Sequence, residues 1–151
     1  ITGGTFSIDA VNDGVKGKDG VKILTADMTI EAGGDGIQSN RDDDVNLGYI
    51  SIGGGTFQIT AALDGIQAET TLEISGGTFQ VTSGGGSSNA VGQSNGEQNP
   101  NWGQWPNPMG SGGIADETDT SDSAKGLKAG TAVLISGGVF ELNALDDAVH
   151  C

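Results

Sequence analysis

The chain has 151 residues, and its 20 Asp and Glu against six Lys and Arg give a formal net charge of −14. This length suits one domain with a modest core, and the charge excludes nucleic acid and anionic membrane surfaces as partners, because both would repel it. The 28 glycines and the aromatic content of 5% exclude a helical bundle and favour a turn-rich β fold. No apolar run reaches the roughly 18 residues that predict a membrane span, so no membrane insertion is expected.

The first predicted element is a six-residue segment, ITGGTF, which recurs along the chain as IGGGTF, ISGGTF and ISGGVF. A further copy, within ILTADMTIEA, keeps the apolar pattern with Met28 in the place of Phe but lacks the Gly pair. The shorter intervals between copies are 22 residues, which defines the repeat unit. The five units begin at Ile1, Ile23, Ile52, Ile74 and Ile135.

Within each unit, apolar and polar residues alternate with a period of two, which is the periodicity of a β-strand. Apolar residues also align two positions before the initial Ile, and seven and fourteen positions after it. A Gly-Gly pair and an Asp-Gly pair separate these segments, since Gly tolerates positive φ and Asp bonds its own turn backbone. Each unit is therefore predicted to form three short strands.

Short strands that repeat about every 22 residues without a helical segment predict an all-β fold of the parallel β-helix (β-solenoid) type, with three strands per coil. Stacked coils place equivalent residues about 4.8 Å apart, so that columns of Ile, Phe and Ala form one continuous core. An all-β sandwich is the alternative, but its strands are not expected to repeat one pattern at a fixed interval.

Two insertions interrupt the repeat. The second unit is longer by the segment NRDDDVN at residues 40–46, and the fourth unit carries a Gly-, Ser-, Asn-, Gln- and Pro-rich excess at residues 85–122. Such a composition predicts a solvated loop rather than a second domain, so residues 1–151 are interpreted as a single domain. Because the sequence opens inside a repeat and lacks an initiator Met, we expect it to be a fragment of a longer protein.

An acidic column is predicted at the Asp-Gly turns, twelve positions after the initial Ile. Carboxylates about 4.8 Å apart repel by about 1 kcal/mol in water and by several times that at lower dielectric. Lys125 would neutralise its neighbours in the column, and a bound divalent cation, calcium rather than zinc, would neutralise the others. The alternative is that Asp-Gly is only favourable turn chemistry, and the spacing leaves both open. The predicted ligands are Asp13, Asp35, Asp64 and Asp147, with Asp146 adding oxygens beside Asp147.

Both insertions carry candidate site residues. Asp42, Asp43 and Asp44 in the first form either a calcium site beside the column or an ordinary solvated loop. Trp102 and Trp105 in the second are the two tryptophans of the chain. Exposed aromatic rings stack on sugar faces, so these residues are predicted either to contact a ligand or to pin the loop onto the coils.

Several runs of the chain are similar to one known family. They are GDGIQSN, LGYISIGGGTFQIT, DGIQAETTLEISGGTFQVTSGGGS, SAKGLKAGTAVLISGG and ALDDAVHC, and they resemble the bacterial carbohydrate-binding domain proteins. The resemblance implies a right-handed parallel β-helix of the pectate-lyase type in a secreted or cell-surface, calcium-binding, adhesin-like protein that binds cellulose or polygalacturonate. It places the calcium ligands on Asp13, Asp35, Asp64, Asp146 and Asp147, with Asp42, Asp43 and Asp44 as companions.

Three functions remain open on these grounds. The first is a calcium-dependent polysaccharide-binding module, in which calcium bridges protein and sugar carboxylates. The second is a structural β-solenoid segment of a cell-surface fibre that self-associates through its ends. The third is a calcium-dependent polysaccharide lyase, for which Lys125 or Lys128 would be the base. No catalytic residue is predicted, because His150, the single histidine, lacks the Ser and acid of a triad.

Overall fold

The repeat unit sets the topology, since each of the first four units contributes one strand to each of three parallel sheets and the fifth contributes to two. The computed structural model describes residues 1–89 and 124–151. Sheet A consists, in spatial order, of β1 (Thr5–Ala10), β4 (Ala26–Ala32), β7 (Gly55–Ala61), β10 (Thr78–Ser83) and β13 (Val139–Ala144). Sheet B consists of β2 (Val15–Gly17), β5 (Ile37–Ser39), β8 (Ile66–Ala68), β11 (Leu127–Ala129) and β14 (Val149–His150). Sheet C consists of β3 (Gly20–Ile23), β6 (Tyr49–Ile52), β9 (Thr71–Ile74) and β12 (Ala132–Ile135).

Neighbouring strands pair so that equivalent positions of the repeat lie opposite each other. In sheet A, Met28 pairs with Phe57, Phe57 with Phe79, and Phe79 with Phe140. The last of these pairs keeps its register across the long insertion. The predicted all-β fold with three short strands per unit is confirmed, and parallel pairing throughout the described strands is unlike the antiparallel sheets of a sandwich. This arrangement is compatible with a β-solenoid.

The core consists of repeated columns of buried apolar side chains. The initial Ile of the second, third and fourth units is at most 1% exposed. The ring of Phe57 stacks on Phe79 with a centroid separation of 4.7 Å, and Phe79 stacks on Phe140 at 4.8 Å. These distances match the separation of paired strands, so the aromatic column follows directly from the register of the repeat. Truncating one of the stacked rings to Ala is expected to cost about 3–5 kcal/mol.

Glycine is favoured for different physical reasons at the two kinds of turn, the Gly-Gly turns and the Asp-Gly turns. Gly55, the first residue of β7, and Gly77, just before β10, have φ of 115° and 114°, which disfavours every other residue. In the Asp-Gly turns, by contrast, Gly36 and Gly65 lie outside the left-handed region, and a Cβ on Gly36 would lie 2.4 Å from the carbonyl oxygen of Gly65. The expectation of positive φ is therefore wrong at the Asp-Gly turns, where glycine permits two units to approach closely.

The insertions lie at two different turns. The first, predicted at residues 40–46, lies within the segment 40–48 that joins β5 to β6. In the second, predicted at residues 85–122, a 3₁₀ turn spans Ser87–Asn89, and residues 90–122 fall outside the described residues. No helix in the described part of the chain is long and apolar enough to span a membrane.

Candidate functional site

The aspartate column, defined here as Asp13, Asp35 and Asp64, forms a ladder of hydrogen bonds from one unit to the next. The Oδ1 atom of Asp13 accepts the backbone N–H of Asp35 at 3.0 Å, and Oδ1 of Asp35 accepts that of Asp64 at 2.9 Å. Oδ1 of Asp64 accepts the backbone N–H of Lys125 at 2.8 Å. Each carboxylate thus bonds the following unit, whereas the turn chemistry expected from the sequence placed this bond within its own turn.

The second oxygen of each carboxylate faces a column of polar side chains on the outer side of sheet B. Lys16 donates through Nζ to Oδ2 of Asp13 at 2.7 Å. The Gln38 amide donates to Oδ2 of Asp35, and Lys128 donates through Nζ to Oδ2 of Asp64 at 2.9 Å. The outward direction of these side chains follows from strand alternation, which puts them on the face opposite the core.

Gln67 completes this arrangement between two carboxylates. In the amide orientation that satisfies both partners, its nitrogen donates to Oδ2 of Asp35 at 3.0 Å and to Oδ2 of Asp64 at 3.2 Å. The aspartate column therefore receives its hydrogen bonds from backbone amides, lysines and glutamines of the chain itself.

The three members of the column differ in charge balance. Burial raises the pKa of Asp35 above its usual value, and the charges of Asp64 and Asp13 raise this pKa further, although hydrogen bonds from the Asp64 amide and Gln38 oppose the rise. For Asp13, burial alone would raise the pKa, but the hydrogen bond and charge of Lys16 and the Asp35 amide lower it below the usual value. Asp35 is thus the member with neutral side-chain partners in the described structure.

Calcium requires six to eight oxygen ligands at about 2.3–2.6 Å. In the aspartate column both oxygens of each carboxylate already accept hydrogen bonds, and Asp35 and Asp64 are only 3% exposed. Across residues 1–89 and 124–151, no three acidic, His or Cys side chains come together in a metal-binding arrangement. The described geometry of the column fits turn and ladder chemistry rather than a calcium cage, while calcium ligation at the predicted residues stays a prediction.

The acidic segment of the first insertion does not converge on one point. Arg41 donates to Asp43 and, at 2.9 Å, to Asp19 of the preceding unit. The Oδ1 atom of Asp44 accepts the backbone N–H of Asn46 at 2.9 Å, and this hydrogen bond lowers the pKa of Asp44. Asp42 is exposed. The pairing of Arg41 across units was not predicted, because the sequence does not show which turn lies beside the insertion.

In the last described unit, Asp146 and Asp147 contact different partners. Asp146 accepts from Lys125 Nζ at 2.7 Å, and Asp147 Oδ2 lies 2.9 Å from Nδ1 of His150. The prediction that the side chain of Lys125 neutralises Asp64 is wrong, because the ammonium group paired with Asp64 is that of Lys128. Lys125 contributes its backbone amide to Asp64 instead.

Trp102 and Trp105 lie outside the described residues, so their predicted ligand contact stays a prediction. One aromatic ring was missed by the sequence analysis. Tyr49, the first residue of β6, is 37% exposed, and it is the single exposed aromatic side chain in the described part of the chain. A tyrosine directly after the insertion, where the other units carry Gly20, Thr71 and Ala132, was the signal available in the sequence.

The ring of Tyr49 lies over the backbone of Gly20 in the neighbouring strand of sheet C. A Cβ built on Gly20 would come within 2.7 Å of Cε1 and 2.8 Å of Cζ of the ring. Lys22 lies on the same outer face, two residues along β3, and pairs with Ser51 in register. We call Gly20, Lys22, Tyr49 and Ser51 the Tyr49 patch.

A comparison with protein families gives one match. The family described as carbohydrate-binding domain-containing protein matches residues 1–151, the whole chain. No curated protein and no solved structure matches the chain.

Proposed function

The chain belongs to the family of carbohydrate-binding domain-containing proteins, and on that premise we propose that it is an extracellular, non-catalytic module that binds cellulose or pectic polysaccharides. The observation that carries the proposal is the family match over the full length of the chain. The described part of this chain consists of repeat units that form three sheets of parallel strands. The outer faces of these sheets present regularly paired strands along which an extended glycan would lie.

We infer further that the fold is a right-handed parallel β-helix. The support is the pairing of equivalent positions in three parallel sheets, together with the near-universal right-handedness of parallel crossover connections. In such a fold the outer positions of each sheet repeat at the strand spacing of about 4.8 Å. This spacing is comparable to the length of one pyranose in an extended chain.

The outer face of sheet A has the hydrogen-bonding groups that sugar hydroxyls require. Gln58 donates to Gln80, and Gln80 donates to Glu141, both at 3.4 Å, in a row that crosses three units. Amide and hydroxyl groups both donate to and accept from sugar hydroxyls, and an ionised carboxylate accepts from them, so that together they can orient a sugar. These features support glycan binding without selecting a particular sugar.

Calcium dependence is kept in the proposal on the strength of the sequence resemblance and the net charge of −14. Within the predicted ligand set, the exposed carboxylates are Asp42 and Asp43 in the insertion and Asp146 and Asp147 in the last unit, although Asp43, Asp146 and Asp147 already have side-chain partners. The aspartate column is the least suitable part of the predicted ligand set, because hydrogen bonds already engage its oxygens.

The lyase alternative is not supported by the positions of its two candidate bases. Lys125 is ion-paired with Asp146, and Lys128 is ion-paired with Asp64. A general base must present a free lone pair to the substrate proton, and an ammonium engaged with a carboxylate does not. We therefore propose binding rather than cleavage as the function.

Binding is tested by affinity electrophoresis in gels that contain polygalacturonate or a soluble cellulose derivative, and by sedimentation with insoluble cellulose. We expect retardation or co-sedimentation with at least one of these glycans, and loss of the calcium-dependent part of binding in excess chelator. Absence of binding to every glycan with and without calcium would overturn the proposed function, and unsaturated product from polygalacturonate would replace it with a lyase. A Trp102→Ala, Trp105→Ala double variant tests whether these residues contact the glycan.

A further inference from the structure

The position of Tyr49 is fixed by backbone contacts on both sides. Gly48 donates its N–H to the carbonyl of Asp19 at 2.7 Å, and its φ of 72° turns the insertion into β6. Thr70 donates its hydroxyl to the carbonyl of Leu47 at 2.6 Å. The backbone that leads into Tyr49 is therefore anchored to the units before and after it, which limits the backbone entropy that a ligand would have to remove on binding.

The Tyr49 ring lies against Gly20, and with 37% of the residue exposed, part of it is open to solvent. Aromatic side chains often cover a glycine on a neighbouring strand, and such a contact stabilises the sheet by itself. A ring held flat against a strand is also the apolar platform on which a sugar face stacks. The two roles, covering Gly20 and stacking on a sugar, are compatible. Altering a ring that only covers Gly20 would change stability, whereas altering a ring that also stacks on a sugar would change glycan affinity as well.

The basic residues nearest to Gly20 in the sequence differ from the others in this chain because they form no ion pair in the described structure. Of the six basic residues, four form ion pairs, namely Lys16, Arg41, Lys125 and Lys128. Lys18 and Lys22 have no carboxylate within 4.0 Å in the described part of the chain. These two lysines lie two residues before and after Gly20, so the uncommitted positive charge of the described chain flanks the covered glycine.

We propose that the Tyr49 patch binds one carboxylate-bearing pyranose of an acidic polysaccharide. The sugar ring stacks on the exposed face of Tyr49, the sugar carboxylate pairs with the ammonium of Lys22, and the hydroxyl of Ser51 hydrogen-bonds a sugar hydroxyl. The inference rests on the proposed glycan binding and specifies where it occurs and which sugar class it takes.

The charge of the whole molecule favours this occupant at this place. A polyanionic glycan is repelled by a surface of net charge −14, so binding without a bridging metal ion requires a basic side chain that the protein does not already neutralise. Lys22 satisfies that condition, whereas Lys16 and Lys128 are engaged by Asp13 and Asp64. A neutral glycan gains nothing from Lys22 and should bind this patch less tightly.

The test is a titration with a trisaccharide of galacturonic acid and, separately, with cellotriose, followed by calorimetry or NMR. We expect the acidic sugar to bind more tightly than the neutral one. Tyr49→Ala should weaken its binding by about tenfold, Tyr49→Phe should leave it within about twofold because the ring remains, and Lys22→Gln should weaken it by about threefold.

Two control variants separate the patch from general effects on the surface. Leu134→Ala removes an exposed apolar side chain from the same sheet, and Lys16→Gln removes a paired lysine from sheet B; neither should change the affinity.

If the protein binds glycan and both Tyr49→Ala and Lys22→Gln retain full affinity, the patch assignment is overturned while the proposed function stands. If cellotriose binds as tightly as the acidic trisaccharide and Lys22→Gln has no effect, the acidic occupant is wrong. Lys22→Gln changes an exposed side chain, so it keeps the test decisive even if Tyr49→Ala fails to fold.

Discussion

The aspartate column and the Tyr49 patch are two polar regions of the same stack, and they differ in whether their groups are already satisfied. In the column, buried carboxylates receive hydrogen bonds from the next unit and from sheet B. In the patch, an exposed ring and an uncommitted lysine face solvent. Regular positions of the repeat thus hold the units together, while a departure from the repeat leaves groups available to a ligand.

Among variants of these two polar regions, the largest effect on stability is expected from breaking the column at Asp64. Asp64→Ala leaves the buried backbone N–H of Lys125 and the ammonium of Lys128 without their acceptor, which should lower the free energy of unfolding by about 3 kcal/mol. Chemical denaturation measures this change, and Asp42→Ala in the exposed insertion is the control, with an expected change within about 0.5 kcal/mol. Equal effects of the two variants would contradict the distinction between a buried ladder and a solvated loop.

A smaller effect is expected from displacing the ring of the patch without removing it. In Gly20→Ala the new Cβ would lie 2.7 Å from the Tyr49 ring, so the ring must shift, at a cost of about 1 kcal/mol in stability and a few-fold loss of affinity for the acidic trisaccharide. Gly54→Ala is the matched control, because nothing lies within 4 Å of a Cβ at that position. Thermal melts and the same titration compare the two, and an unchanged affinity in Gly20→Ala would show that the ring position does not matter for binding.

The smallest effects are expected from the charges within the column, and they have opposite signs at Asp35 and Asp13. The pKa of Asp35 is raised in the folded protein, so its stabilising contribution is present below the usual value of 3.8 and is lost as pH rises through the folded pKa. The pKa of Asp13 is lowered, so its contribution is present above 3.8 and is lost as pH falls through the folded pKa.

Unfolding free energies measured between pH 3 and pH 7 would reveal this difference. Relative to wild type, Asp35→Asn should gain stability as pH rises, because the amide does not ionise. Asp13→Asn should lose stability relative to wild type as pH rises, because it forfeits the ion pair with Lys16. Parallel pH profiles for the two variants would contradict the assigned shifts.

Much of the scaffold was predictable from spacing. The alternation within TFQVT and the aligned initial Ile residues predicted the three strands per unit and the register that stacks Phe57, Phe79 and Phe140. The position of the first insertion followed from the excess over the repeat length. These features depend on periodicity, which a single sequence displays directly.

The site was less predictable because it depends on contacts between units. Spacing placed Asp64 and Lys125 in one column. It did not show that the Asp64 carboxylate would accept a hydrogen bond from the Lys125 backbone, or that the Lys128 ammonium would neutralise this carboxylate. The same holds for Tyr49, whose ring covers Gly20 only because the two residues pair across neighbouring strands. A contact between side chains of neighbouring units leaves no periodic signal in the sequence.

The contrast between the two regions is tested by one NMR measurement on the ring of Tyr49. The chain has a single tyrosine, so protein labelled with ¹³C in its tyrosine ring reports on the patch alone. On titration with the acidic trisaccharide, the ring signals should shift in step with the overall binding curve, and they should shift equally in Asp35→Asn, because the column takes no part in binding. Ring signals that stay unchanged while the trisaccharide binds, or a loss of binding in Asp35→Asn, would contradict the assignment of scaffold to the column and of recognition to the Tyr49 patch.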